Sequence, residues 1–388
     1  MQDNIVEQVL ESHPDLFADV LARVEEREVQ ILYTQIDRDD QQRPHFTEHA
    51  FRVDAANYFY PASTLKLAGA LLALEKLEEI GTIDRDTPLR IGQARASQEA
   101  VEVDETAPNG LPSIAHYIRK LFVVSDNDAY NRLYEFVGQQ RMNRGLWEKG
   151  YRDVRLTHRL SMPMSAEENR HTNPFVFYRG DDVLYEQAAQ YNEETLRAEG
   201  PIERGHGELV DGVVLNRPKD FAGSNYMSVR VLQDLLKAVV FPDSLPPQRR
   251  FRLGRDDRSF LLRAMSMLPR ECDYPRYDRS KYYDSYVKFF MFGHRKDPMP
   301  DHIRLFNKVG LAYGYLIDNA YIVDFEQGVE FLLTAVVSAN DNGIFNDGQY
   351  AYDEVCFPFL GHLGRVLHER EMLREKEVMP DLRAFRLT

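Results

Sequence analysis

Apolar residues recur at three- and four-residue steps between residues 3 and 27. There Val9, Leu10, Phe17, Val20, Leu21 and Val24 mark the buried side of one or two amphipathic helices. The period then changes. "VQILYTQIDRD" alternates and is rich in β-formers, "DDQQRP" reads as a turn, and "HFTEHAFRV" returns as a second strand, which predicts a hairpin. From Ser63 to Ile80 the chain is apolar around most of a helical circumference (Leu65, Leu67, Ala68, Leu71, Leu72, Leu74, Leu77). A buried helix is predicted, with Gly81 as its left-handed stop. Residues 112–124 and "AYNRLYEFVG" predict two more helices, separated by "SDND".

Residues 150–225 carry Pro163, Pro174, Pro201 and Pro218 in a polar, irregular stretch, so long loops and short helices are expected. Helices are predicted again over 228–240 and 258–268. "FNKVGLAYGYLIDNAYIVDF", a turn at "EQG" and "VEFLLTAVVSAND" then read as a β-meander, and a helix over about 350–376 closes the chain. This order predicts an α+β fold: an antiparallel sheet flanked by helices and built from both chain ends, with an all-helical lobe between them. The expected layout is a helical segment at 1–27 and a single domain at 28–388. Within it, an α/β lobe spans about 28–60 and 300–388, and a helical lobe about 61–300.

The 388 residues carry 48 lysines and arginines against 62 acidic side chains, a net charge of −14. Phosphate backbones would be repelled, so no nucleic-acid partner is expected. The arginine-rich stretch 248–263 reads as a solvated helix face. Two distant cysteines, Cys272 and Cys356, make neither a disulfide framework nor a metal motif. No apolar run is long enough to span a membrane, and no signal peptide is visible. The compartment stays open: periplasmic or secreted if a signal peptide was removed, otherwise cytoplasmic.

Against this background, Ser63 and Lys66 stand out at the front of the buried helix. Three residues apart, their side chains share one face. Burial disfavours a charged lysine, and a lysine able to lose its proton can serve a nucleophilic serine. The tetrapeptide alone is weak; Ser285 and Lys288 repeat it, and on these four residues alone an N-cap is the preferred reading of Ser63. Two further pieces add weight. Ser125, Asp126 and Asn127 lie at a helix break, and Lys308, Val309 and Gly310 open a strand.

Ser-x-x-Lys, Ser-Asp-Asn and Lys-x-Gly, in this order, resemble the motif set of class A β-lactamases and penicillin-binding proteins. The resemblance covers roughly residues 28–370, and "FYPASTLKL" and "SDNDAYNRL" look like that family's flanks. It implies a β-lactamase/transpeptidase-like fold with the active site between the two lobes. It also implies an acylated nucleophile at Ser63, a proton acceptor at Lys66 and a proton path to the leaving nitrogen through Ser125. Asn127 would bind the substrate amide and Lys66, and Lys308 would set the local field and support Ser125. The oxyanion would lie between the N–H groups of Ser63 and Leu311, the residue after Gly310. No metal or cofactor is expected. The substrate would be a β-lactam, a peptidoglycan-like peptide or another small ester or amide. The alternatives are a slowly deacylating penicillin-binding type and a non-catalytic binding protein on the same scaffold.

Two departures stand out. Val309 replaces the Thr or Ser that the family usually places between Lys and Gly to bind the substrate carboxylate. The loop glutamate that activates the deacylating water has no counterpart in frame. Glu167 and Glu168 lie nearby as candidates, with His158 and His171 as conceivable substitutes, and simple solvated loop residues as the plainer reading. The segment before the third motif is also long, so an extra helical insertion is expected within 175–300. Tyr274, Tyr277, Tyr282, Tyr283 and Tyr286 in it are candidates to wall the cleft, with core or surface packing as the plainer reading.

Overall fold

The computed structural model describes residues 4–293 and 295–387. Five strands form one antiparallel sheet: β1 (Gln30–Arg38), β2 (Pro44–Phe51), β3 (Ile303–Ala312), β4 (Tyr315–Asp324) and β5 (Val329–Ser338), in the order β3-β4-β5-β1-β2. The hairpin near the front of the chain and the late meander meet where β1 pairs with β5, Gln30 opposite Val336. The fold is α+β.

Strand alternation divides the sheet into two faces. Ile31, Tyr33, Leu305, Leu316, Ile322, Phe331 and Leu333 point to a back face. It is covered by α1 (Ile5–Ser12), α2 (Pro14–Ala22) and the long helix Phe357–Leu373. Leu32, Ile36, Phe306, Ile317, Tyr321 and Leu332 point the other way, into the larger core shared with the helical lobe. That lobe is built on α3 (Lys66–Ile80), buried over its whole length from Lys66 to Leu77 and stopped by Gly81 at φ +71°. Around it lie α4 (Ile114–Val123), α5 (Asn127–Val137), α6 (Gln139–Glu148), α7 (Val229–Val240) and α8 (Arg255–Ser266). Among the described residues no helix is long and apolar enough to cross a membrane.

The stretch read as loops and short helices keeps its loops and a short helix, Ala166–Asn169, but also carries several short strands. Phe175–Arg179 and Asp182–Gln187 pair across a turn at Gly180 and Asp181, and Leu89–Ile91 joins them. A Gly-Asp pair between β-rich runs is a hairpin signal that the surrounding prolines obscured. Gly207–Val210, Val213–Leu215 and Ile344–Phe345 make a second small sheet. Residues 175–300 therefore combine these hairpins with α7, α8 and an irregular segment after Glu271, rather than a purely helical insertion.

Candidate active site

Ser63 does not sit on an α-helix. Ala62 adopts φ +48°, and Thr64 binds Pro61 O through both N (3.1 Å) and Oγ1 (2.5 Å), so the chain turns sharply through a 3-10 turn, Ala62–Leu65. The α-helix starts only at Lys66. A positive φ at alanine is uncommon and costs on the order of 1–3 kcal/mol, which the packing around the turn offsets. Ser63 is half-buried at this turn, where the leading N–H groups lack intrahelical partners.

Strand β3, the edge of the sheet, lies directly against the turn. A Cβ on Gly310 would stand 2.7 Å from Pro61 O and 3.2 Å from Ala62 Cβ. Only glycine permits this approach, which brings Leu311, 45% exposed, to the rim of the cleft.

Two lysines converge on Ser125, which joins α4 to α5 at φ +59°. Lys66 Nζ donates to Ser125 O (2.5 Å), Asn127 Oδ1 (2.7 Å) and, more loosely, Ser125 Oγ (3.3 Å). Lys308 Nζ donates to Ser125 Oγ at 2.8 Å and to Val309 O at 3.0 Å. Both lysines are buried. Burial pushes Lys66 down to about 7, partly opposed by the charge of Asp126. Lys308 is held well below the usual lysine range by burial and then by the neighbouring Lys66. Asp126 points elsewhere: its carboxylate caps α5 by accepting from Ala129 N at 2.8 Å. The Ser-Asp-Asn turn is thus a cap and a polar cluster together.

The other side of the cluster is a loop docked on α5. Asn127, Asn131 and Glu135 recur at four-residue steps and form one polar stripe. Each takes one of three successive loop residues. Asn127 Nδ2 donates to Ser161 Oγ (2.8 Å), Asn131 exchanges two hydrogen bonds with the Leu160 backbone (2.8 and 3.0 Å), and Glu135 accepts from Arg159 Nε (2.9 Å). Arg159 is buried and also donates to His171 O at 2.8 Å. Ser161, at φ +51°, is thereby fixed two hydrogen bonds from Lys66. Motif reading missed this residue; the stripe on α5 was the available signal.

The remaining candidates lie elsewhere. Glu168 accepts from Arg95 (2.8 Å) and Ser97, and Glu167 from Arg170 (2.9 Å) and His171 (3.3 Å). Among the described residues neither carboxylate is hydrogen-bonded to Ser63, Lys66 or Asn127. His158 is half-buried, stacked on Tyr60 with centroids 6.1 Å apart, and His171 stacks on Tyr191 at 4.4 Å. Tyr277, Tyr282 and Tyr286 pack edge to face on one another. Val309 is buried with Leu305 and Leu316 in the back-face core. We therefore expect Val309→Thr to cost about 1–3 kcal/mol of stability by burying a hydroxyl, read as a lowered denaturation midpoint, without adding a donor to the cleft.

Among the described residues no cluster of three or more His, Cys, Asp or Glu side chains could hold a metal ion. Between the sheet and the helical lobe, Ser125 is flanked by two buried lysines. A model of the beta-lactamase enzyme family matches residues 16–243, more than half of the chain, and the protein belongs to that family. No curated protein matches it. Among solved structures, the chain is similar to a beta-lactamase from Sphaerobacter thermophilus DSM 20745 (13% identity, 92% of this chain and 95% of that one, TM-score 0.49). It is also similar to a beta lactamase from Xanthomonas campestris pv. campestris str. ATCC 33913 (15%, 93% and 98%, 0.49). A third is the class A beta-lactamase of the last common ancestor of Gram-negative bacteria (14%, 91% and 98%, 0.48).

Proposed function

We propose that the protein is a serine hydrolase that cleaves a β-lactam or a related amide through an acyl-enzyme on Ser63, and that deacylation is slow. The observation that carries this reading is Ser125 Oγ held between two buried lysines, with Asn127 bound to one of them. Lys66, which burial pushes down to about 7, accepts the Ser63 proton as Oγ attacks the carbonyl. The oxyanion is received by the N–H groups of Ser63 and Leu311, a pair of donors worth several kcal/mol. Ser125 Oγ, supported by Lys308, passes the proton to the leaving nitrogen. Asn127 supplies its amide to the substrate as well as to Lys66.

Slow deacylation follows from the loop. The group that reaches the Lys66–Asn127 pair is the neutral hydroxyl of Ser161, which is a poor base for water. Glu167 and Glu168 are left out of the reaction because their carboxylates are taken up by Arg95 and Arg170.

The test is intact mass over time after mixing with benzylpenicillin and with a chromogenic cephalosporin. A stoichiometric mass gain that maps to Ser63 and outlasts minutes is expected. Rapid hydrolysis without an accumulated adduct overturns slow deacylation, and no gain with no hydrolysis overturns the β-lactam substrate. In the same assay Gly310→Val, which pushes β3 off the Pro61 carbonyl and moves Lys308 and Leu311 with it, is expected to lower the acylation rate about 10²-fold or more.

A further inference from the structure

The second Ser-x-x-Lys does not form a second site. Ser285 Oγ donates to Arg295 O, and Lys288 turns into the protein behind the sheet, where it is fully buried. Its Nζ donates to Met265 O and to Asn307 Oδ1, each at 2.6 Å. Asn307 Nδ2 in turn donates to Asp318 Oδ1 (2.8 Å) and to Val287 O (2.9 Å). Asp318, also fully buried, accepts from the N–H groups of Phe289 (2.9 Å) and Phe290 (3.1 Å) through its other oxygen.

This network lies on the opposite face of the strand that carries Lys308. Asn307 immediately precedes Lys308 on β3 and, by alternation, points to the back face while Lys308 points to the front. Asp318 on β4 stands opposite Val309 in register and shares its face. A buried polar array of this kind needs a reason, because apolar packing would serve stability at least as well. Two effects of the array reach Lys308. The hydrogen bonds fasten residues 287–290 to an edge strand that is otherwise paired on one side only. The charges act across dry protein, where they are weakly screened.

We propose that Lys288 and Asp318 are positioning residues that act through Lys308, setting from behind the sheet the charge that Lys308 presents to Ser125 Oγ. Asp318 favours the ammonium form of Lys308, whereas Lys288, like Lys66 on α3, opposes it. Lys288 is itself pushed down to about 7 by burial, with Asp318 and Glu271 favouring its charge and Arg304 opposing it.

The inference rests on Lys308 being a working group of the proposed site, yet its test needs no substrate. Lysines labelled at Cε are titrated by NMR, and the Lys308 signal is assigned with Lys308→Arg. Asp318→Asn is expected to move the Lys308 midpoint down by about one pH unit, the size of a unit-charge effect at an effective dielectric near 20. Lys288→Met is expected to move it up by a smaller amount, because Lys288, with its own value about 7, carries only part of a charge there. The pH limb of benzylpenicillin acylation moves in the same directions. A purely structural role predicts losses in both variants without opposite shifts, and that result overturns the proposal. Should Asp318→Asn fail to fold, Lys288→Met decides alone: an unmoved midpoint in a folded variant sinks the idea. A wild-type protein that never acylates would sink the hydrolase reading while leaving the lysine titration to stand or fall by itself.

Discussion

Ser63→Ala is expected to abolish the mass gain with benzylpenicillin completely, with rate losses on the order of 10⁶, as for other nucleophile deletions. The size of the effect follows from the surroundings of Ser63. Lys66, Ser125, Asn127 and Lys308 form one connected cluster whose purpose in the proposed reaction is to move one proton off Oγ and on to a leaving nitrogen. Without the oxygen none of them has a reaction to assist. The substitution is small and half-buried, so the denaturation midpoint is expected to stay within about one degree of wild type. Equilibrium binding of the unreacted ligand is expected to survive, because the N–H groups and Asn127 remain. A variant that still gains mass would move the nucleophile elsewhere. A wild type that binds but never reacts, with Ser63→Ala binding equally, would mark a non-catalytic relic.

The second large effect has two signs. Lys66→Met is expected to slow acylation by about 10²–10⁴, the usual contribution of a general base, and at the same time to stabilise the fold by about 1–3 kcal/mol near neutral pH. A fully buried lysine with a value near 7 instead of the ordinary 10.5 is a liability for folding. Between those two pH values the unfolded chain holds a proton that the folded chain lacks. Wild-type stability from this group therefore rises with pH across that window, and the penalty is complete below it. The methionine variant lacks that slope. Denaturant titrations of both proteins at pH 6 and at pH 10 should show the stability gap in favour of the variant narrowing as the pH rises. A gap that widens instead would mean that burial does not hold Lys66 below its ordinary value.

Much of this architecture was legible in the chain. The period of three to four in α1 and α2, the apolar circumference of α3, the alternation of β1 and the meander of β3 to β5 placed both halves of the sheet and the buried helix. The three motifs named the residues that meet around Ser125. What escaped has identifiable causes. The positive φ angles at Ala62 and Ser125 are imposed by tertiary contacts and leave no trace in residue type. The back-face burial of Val309 was available from alternation, since Phe306, Lys308 and Gly310 share one face and Leu305, Asn307 and Val309 the other. Ser161 lies in a loop whose path is dictated by side chains of α5, and Lys288 in an irregular segment where no period exists to read.

The pairing of α5 with the 159–161 loop behaves as a vernier, two scales of unequal pitch read against each other. From Asn127 to Glu135 the helix advances about 12 Å, while two steps of chain from Ser161 to Arg159 span about 7 Å at most. The scales coincide at the fine end, where the short Ser161 side chain meets Asn127, and the long arginine makes up the deficit at the other. Loop length and side-chain length are therefore interchangeable quantities here. A shortened residue 159 would be tolerated only by a loop one residue longer, and a loop lengthened alone would carry Ser161 past the mark that aligns it with Lys66.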